Sequence, residues 1–257
     1  MKRRLLVRVL WVLAACMGAG IFPHPAFSSS PSNPSAAQKA IKVVMDDNYP
    51  PYVFRDGSGR LQGILVDQWR LWEEKTGVRA EVHAMDWGEA LRRMEAGEFD
   101  VIDTIFQNES RERVYDFSKP NVKLEVPVFF QKNISGITDA SSLKGFPVAV
   151  KNGDAAVDYL LRRGVNRLVG YDSYEEIVRA AREHKVGVFV MDKPPAMYFL
   201  YKMGIHDQFR VSKPLYVGEF HRAVLKGNKP LLATVEDGFA RISPAELKEI
   251  DRKWFGS

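Results

Sequence analysis

Residues 41–106 read IKVVMDDNYPPYVFRDGSGRLQGILVDQWRLWEEKTGVRAEVHAMDWGEALRRMEAGEFDVIDTIF, and the alternation of patterns along them decides the fold. Ile41–Met45 is a short apolar run of strand length, broken by a loop with two successive prolines, Pro50 and Pro51. After the turn at Gly57-Ser58-Gly59, Ile64 to Lys75 reads as a helix with Leu65, Trp69 and Trp72 on one apolar face. Val78–Ala84 alternates like a strand, Gly88–Ala96 is helical, and Val101–Phe106 is a strand again. Strands and helices alternating at this spacing predict an α/β sheet with right-handed crossovers.

The same grammar repeats downstream. Leu124 to Phe130 is β-prone but interrupted at Glu125 and Pro127, which suits a strand crossing between two units. Pro147–Val150 predicts a strand, Asn152-Gly153-Asp154 a turn and helix cap, and Ala155–Arg163 a helix. Ser173–Glu183 is helical, Val186–Met191 a buried strand ending at Asp192, and Pro195–Met203 another helix. Leu215–Leu225 is extended, and Leu231–Phe255 is helical with a break near Ser243-Pro244.

The ends and totals bound the function. Lys2, Arg3 and Arg4, the apolar run Val9 to Phe22 and the small residues ending in Ala26-Phe27-Ser28 read as an export signal over 1–28. Fourteen apolar residues fall short of the roughly 20 that a spanning helix needs. Leu13-Ala14-Ala15-Cys16 resembles a lipobox, so cleavage after Ser28 and lipidation at Cys16 both stay open. Residues 29–40 form a Ser/Pro-rich tether. Without 1–28 the chain has 33 basic and 32 acidic residues and no basic patch, which argues against nucleic acid as a partner. The folded part lacks cysteine, and no zinc, serine-hydrolase or phosphate-loop motif is present; no cofactor or metal is expected.

Four segments carry a family resemblance: Asp46-Asp47-Asn48-Tyr49-Pro50-Pro51-Tyr52 with Gly63 to Asp67; Trp87 through Gly97-Glu98-Phe99-Asp100; Glu109 to Pro120; and Val188 to Asp192, supported by Lys253-Trp254-Phe255-Gly256. In this order they resemble the family-3 extracellular solute-binding proteins, the periplasmic receptors of polar amino-acid importers. The resemblance implies a two-lobed, type II periplasmic-binding-protein fold, each lobe a mixed sheet flanked by helices. Two crossing strands would join lobe 1 (41–126 plus 216–257) to lobe 2 (127–215), with a ligand in the cleft between them.

It also implies site residues. Arg111, six before Phe117, occupies the place of the family's carboxylate-gripping arginine, and a guanidinium can grip a carboxylate with two parallel hydrogen bonds. Arg113 reads as a surface residue. Asp192 sits where the family pairs an acid with the ligand ammonium, although it can also cap the helix that follows. Asn152 and Asp154 open a helix whose free N–H groups attract anions. Asp154 departs from the family's Thr or Ser, and a carboxylate there repels a ligand carboxylate. Phe106 departs likewise, removing a hydroxyl and narrowing the pocket. The two departures point to the variant subgroup resembling ligand-sensing domains of sensor kinases. Tyr49 and Trp87 are the expected aromatic walls, Tyr52 a core residue, Asp47 and Asp103 weaker candidates, and His221 structural.

The expected role is capture of an amino-acid-like ligand by a periplasmic monomer serving the membrane permease of an ABC importer. The alternative is a sensor signalling to a membrane kinase or cyclase. A dehydratase is the remote third, and it would need a cleft acid or base for which no motif speaks.

Overall fold

The computed structural model describes residues 40–255; the export signal, the tether up to residue 39 and Cys16 lie outside the described residues. Its elements, in chain order, are β1 (Ile41–Asp46), β2 (Asn48–Tyr49), β3 (Val53–Arg55), β4 (Leu61–Gln62), α1 (Ile64–Thr76), β5 (Ala80–Met85), α2 (Trp87–Glu95) and β6 (Val101–Phe106). Then follow β7 (Tyr115–Phe117), β8 (Val122–Val126), β9 (Val128–Gln131), β10 (Val148–Lys151), α3 (Ala155–Leu161), β11 (Leu168–Tyr171), α4 (Tyr174–Arg182), β12 (Val188–Val190) and α5 (Lys193–Lys202). The last are β13 (Phe209–Val211), β14 (Tyr216–Leu225), α6 (Lys229–Ala240) and α7 (Pro244–Phe255).

Two mixed sheets organise these elements. The first runs β5-β1-β6-β14-β7, with β8 also paired to β14; the second runs β11-β10-β12-β9-β13. In each, strands joined by a helix are parallel, as β1 with β5 and β10 with β11, and a strand at the crossing runs antiparallel to them, β14 against β6 in the first and β9 against β12 in the second. The fold is the two-lobed α/β architecture of periplasmic binding proteins.

The chain leaves the first sheet at β8 and enters the second at β9, with Pro127 between them. Proline has no N–H to offer a ladder, so pairing stops there and the segment can change sheets. The return from β13 to β14 runs alongside: Leu215 N–H donates to Val126 O at 2.8 Å and Ser212 N–H to Val128 O at 2.9 Å. The two crossing segments thus brace one another on either side of Pro127.

Local chemistry fixes the helix ends. Gly63 precedes α1 at φ 130°, and a Cβ there would stand 2.3 Å from Tyr52 O, so only glycine allows that approach. The break near Ser243-Pro244 is a helix start: Ser243 accepts from Glu246 N–H while Glu246 accepts from Ser243 N–H, a reciprocal cap with Pro244 in the first turn. Trp254 Nε1 and Lys253 Nζ both reach Asp67, tying α7 to α1. The short strands β2–β4, β7, β11 and β13 were not expected from the sequence. Each has four residues or fewer, too short to show a period. Among the described residues no helix is long and apolar enough to cross a membrane.

Candidate functional site

Open α/β sheets present ligand sites beyond the carboxyl ends of their strands. Here β1 ends in Asp46, β10 ends in Lys151, and β12 runs through Met191 into Asp192; the first strand lies in one sheet and the other two in the second. These termini meet face to face. The Lys151 ammonium donates directly to the Asp46 carboxylate, with the two side chains only 2% and 4% exposed. Lys151 also lies 4.9 Å from the centroid of the Tyr174 ring. A buried charge pair of this kind persists only while both partners stay together.

Asp192 makes the second link. Its Oδ2 accepts from the Tyr49 hydroxyl of the opposite lobe and lies 3.3 Å from the Tyr174 hydroxyl, which bonds more closely to Asp154. One phenol has one proton, so Tyr174 cannot donate to both carboxylates at once. Asp192 is accordingly held well above the usual carboxylate range, by burial first and then by the charge of Asp154. Burial, and then Asp192, pushes the Tyr49 phenol well above its ordinary value. Asp192 stands at the N-cap of α5 but makes no cap bond, so its side chain serves the cleft. Asp154 does both: it caps α3 by accepting from Ala156 N–H at 2.9 Å and accepts from the Tyr174 hydroxyl.

Arg111 makes the third link. From the turn after β6 it donates to Phe106 O in its own lobe and to Gly153 O across the cleft, each at 2.8 Å. Trp87 Nε1 donates to the same Gly153 O at 3.1 Å, and the guanidinium lies 5.6 Å from the Trp87 ring. Gly153, at φ 74°, lets the β10–α3 turn approach that closely. Burial lowers the guanidinium pKa, opposed by Asp154 and Asp158.

Together the links close the cleft. What remains is a cavity of about 20 Å³ bounded by Asp46, Tyr49, Thr104, Arg111, Asp154 and Asp192, with Phe106 and Phe220 as walls. That is room for about one water molecule. Asp192 Oδ1 is buried there with no hydrogen-bond partner among the described residues. An amino acid can enter only by displacing at least one of the three links.

Of the residues singled out from the sequence, Arg111, Asp192, Tyr49, Trp87, Asp154 and Phe106 all line this cavity. Asp47 and Asn152 do not. Asp47 turns outward to Arg55 at 3.1 Å, and the exposed Asn152 donates to Asp172. Tyr52 is buried against Tyr49 and Phe220, its phenol pushed up to about 12 by burial. Asp103 is buried inside lobe 1, and His221 hydrogen-bonds Ser118 O. Sequence reasoning missed Asp46, Lys151, Tyr174 and Thr104. Asp46 carried a usable signal, an acid closing a short apolar run, which together with the family resemblance pointed to Asp192.

Comparison with known proteins identifies the family and agrees with the fold. The profile of the bacterial extracellular solute-binding proteins, family 3, matches residues 41–257. The virulence sensor protein BvgS of Bordetella pertussis is 25% identical over 240 residues, covering 92% of this chain and 19% of that protein. The chain therefore spans about a fifth of the length of that relative. The L-cystine-binding protein TcyJ of Escherichia coli K12 is 25% identical over 255 residues, 97% of this chain and 95% of that one. Among solved structures, a histidine kinase sensor domain with similarity to periplasmic binding proteins superposes with a TM-score of 0.79 at 25% identity, covering 86% of this chain and 97% of that domain.

Proposed function

The chain belongs to the bacterial extracellular solute-binding proteins, family 3, and on that premise we propose that it is an exported, non-catalytic ligand sensor. Its lobes, residues 41–126 with 216–257 and residues 127–215, would change their angle when a small amino-acid-like ligand enters the cleft. A membrane kinase or cyclase would read that angle.

One observation carries this reading. Lys151–Asp46, Tyr49–Asp192 and Arg111–Gly153 O hold the lobes together directly and leave about 20 Å³. A protein that delivers cargo to a permease must present its closed face only when loaded. A chain that closes on its own side chains, with no room for cargo, does not make that distinction. A sensor needs only two lobe arrangements and a ligand that prefers one of them. Once the links part, Arg111 is free for a ligand carboxylate and Asp192 for an ammonium.

The second reading is capture for an ABC importer. Its support is the nearly end-to-end match with a cystine-binding protein of about the same size. Small-angle scattering of the protein with and without L-cystine and a panel of other amino acids separates the two. The sensor reading expects a compact form before addition and expansion on addition. Contraction on addition would overturn it in favour of the importer.

A further inference from the structure

We propose that a second ligand site lies on the far side of Phe106 from the central cavity, between the lobes beside the crossing strand β14, and that it takes an organic amine with an aromatic body. A hollow of about 570 Å³ opens there. That volume is within the usual range of small-molecule sites, whereas the central cavity holds one water.

Phe106 is the partition, since it lines both spaces. Its ring rests on the backbone of β14 at Gly218, where a Cβ would stand 2.1 Å from Cε2. The ring is therefore seated by a glycine, and the substitution that closes the central cavity also builds the wall of the hollow. Lobe 1 contributes Phe106, Glu112 and Glu219, lobe 2 contributes Tyr159 and Arg162, and Tyr216 comes from the start of β14. A ligand here touches both lobes while the three cleft links stay made.

Its chemistry follows from the lining. Tyr159 and Tyr216 form an aromatic pair with centroids 4.4 Å apart, and the Tyr159 hydroxyl donates to Leu215 O at 2.9 Å. One face of Tyr159 already carries the Arg163 guanidinium at 3.5 Å, so the apolar wall left for a ligand is Phe106 with Tyr216. The Tyr216 hydroxyl is buried with no partner among the described residues. The charged side chains around the hollow are Glu109, Glu112 and Glu219 against Arg162. The Glu112 carboxylate takes the neutral Gln107 amide at 2.8 Å while the Lys226 ammonium bonds the Glu112 backbone O at 2.9 Å, and Glu219 faces Lys123 at 3.4 Å on the exposed side. A cation is the complement of this set. Its aromatic part covers Phe106 and the Tyr216 ring, and its ammonium faces the Glu112 and Glu219 carboxylates.

The test is isothermal titration of the protein with phenethylamine, with benzoate as the probe of opposite charge. Wild type should bind the amine and give no heat with benzoate. Glu112→Gln with Glu219→Gln should weaken the amine at least about tenfold, roughly 1.4 kcal/mol. Val217→Trp, at an exposed position on the rim, should block it while leaving the carboxylates in place. Glu74→Gln with Glu249→Gln removes two acids elsewhere on the surface and should change little. Absence of amine binding at millimolar concentration, equal binding of benzoate, or equal weakening by the two glutamate pairs would each overturn the proposal. None of these outcomes depends on the lobe response to amino acids.

Discussion

Two buried aspartates show how differently one residue type can be used in this molecule. Asp103 lies inside lobe 1, fully buried, and everything it touches belongs to that lobe. It accepts from Trp69 Nε1 at 2.8 Å and Thr104 N–H at 2.7 Å, with the Arg222 guanidinium 3.3 Å away. Arg222 is held in turn by Gln68 at 3.0 Å and by the Phe239 ring 3.3 Å from its guanidinium carbon. Asp192 is also buried, yet one oxygen bonds phenols and the other has no partner among the described residues. Asp103 is compensated by a full positive charge from an element that cannot leave. Asp192 is compensated by neutral donors, one of them from the other lobe. The first arrangement holds a lobe together and the second holds two lobes provisionally.

The largest expected effects test that contrast directly, by making the same deletion in both regions. Arg222→Met strands the Asp103 carboxylate in a lobe that cannot open, and should cost about 3–5 kcal/mol in urea unfolding. Lys151→Met strands Asp46 equally, but at the cleft, where opening lets water reach the carboxylate. Its loss should be smaller, roughly 1–2 kcal/mol, with a larger radius of gyration by scattering. Equal losses for the two variants, with no expansion for the second, would show the cleft to be as permanent as the core.

The contrast also explains what the sequence could disclose. The order of strands and helices was legible because each long element buries one face against a sheet, and burial imposes its period on the residues. Pro127 was legible as a crossing because proline has few places in a sheet. Arg111, Asp192 and Tyr49 were visible through resemblance and through polarity at the end of an apolar run. Lys151 was passed over because a lysine after Val148-Ala149-Val150 looks like an ordinary exposed strand end. Its burial depends on Asp46, 105 residues away, and no local pattern carries that. Nor could the sequence show that Arg111 would spend its donors on two backbone carbonyls. That depends on the angle between the lobes, not on any residue.

A middle-sized effect lies in the pH dependence. The folded protein holds the proton of Asp192 more tightly than an unfolded chain does, because its carboxyl is raised well above the ordinary range. Its contribution to stability is therefore complete below the unfolded value near ~3.9 and is lost as pH rises through the raised folded value. Asp192→Asn keeps an acceptor for the Tyr49 hydroxyl and cannot ionise. Thermal unfolding from pH 4 to pH 8 should show wild type losing ground against the variant as pH rises, by at most about 1.4 kcal/mol per pH unit. Parallel curves would place the proton elsewhere in the Asp154–Tyr174–Asp192 chain. The comparison with Asp103 would then need a different partner.

The smallest effect belongs to Thr104, the residue that joins the two regions. It directly follows Asp103, binds that carboxylate through its N–H, and lines the central cavity. Its φ is +64°, a left-handed conformation that a β-branched residue adopts at a cost of about 1–3 kcal/mol. The pairing of β6 with β14 is irregular here, so one strand carries both a carboxylate locked in the lobe and, next to it, a residue that lines the cavity. Thr104→Gly removes the strain and also removes the hydroxyl, which donates to Asp103 O at 2.5 Å, a bond worth about 1 kcal/mol. The net should be a gain of no more than about 1 kcal/mol in thermal unfolding. Thr104→Ala keeps the strain and loses the bond, so it should be less stable than wild type. If the glycine variant were less stable than wild type, the threonine side chain would be contributing more to the cleft than its one hydrogen bond accounts for. Asp103 and the cavity would then act as one region, not two.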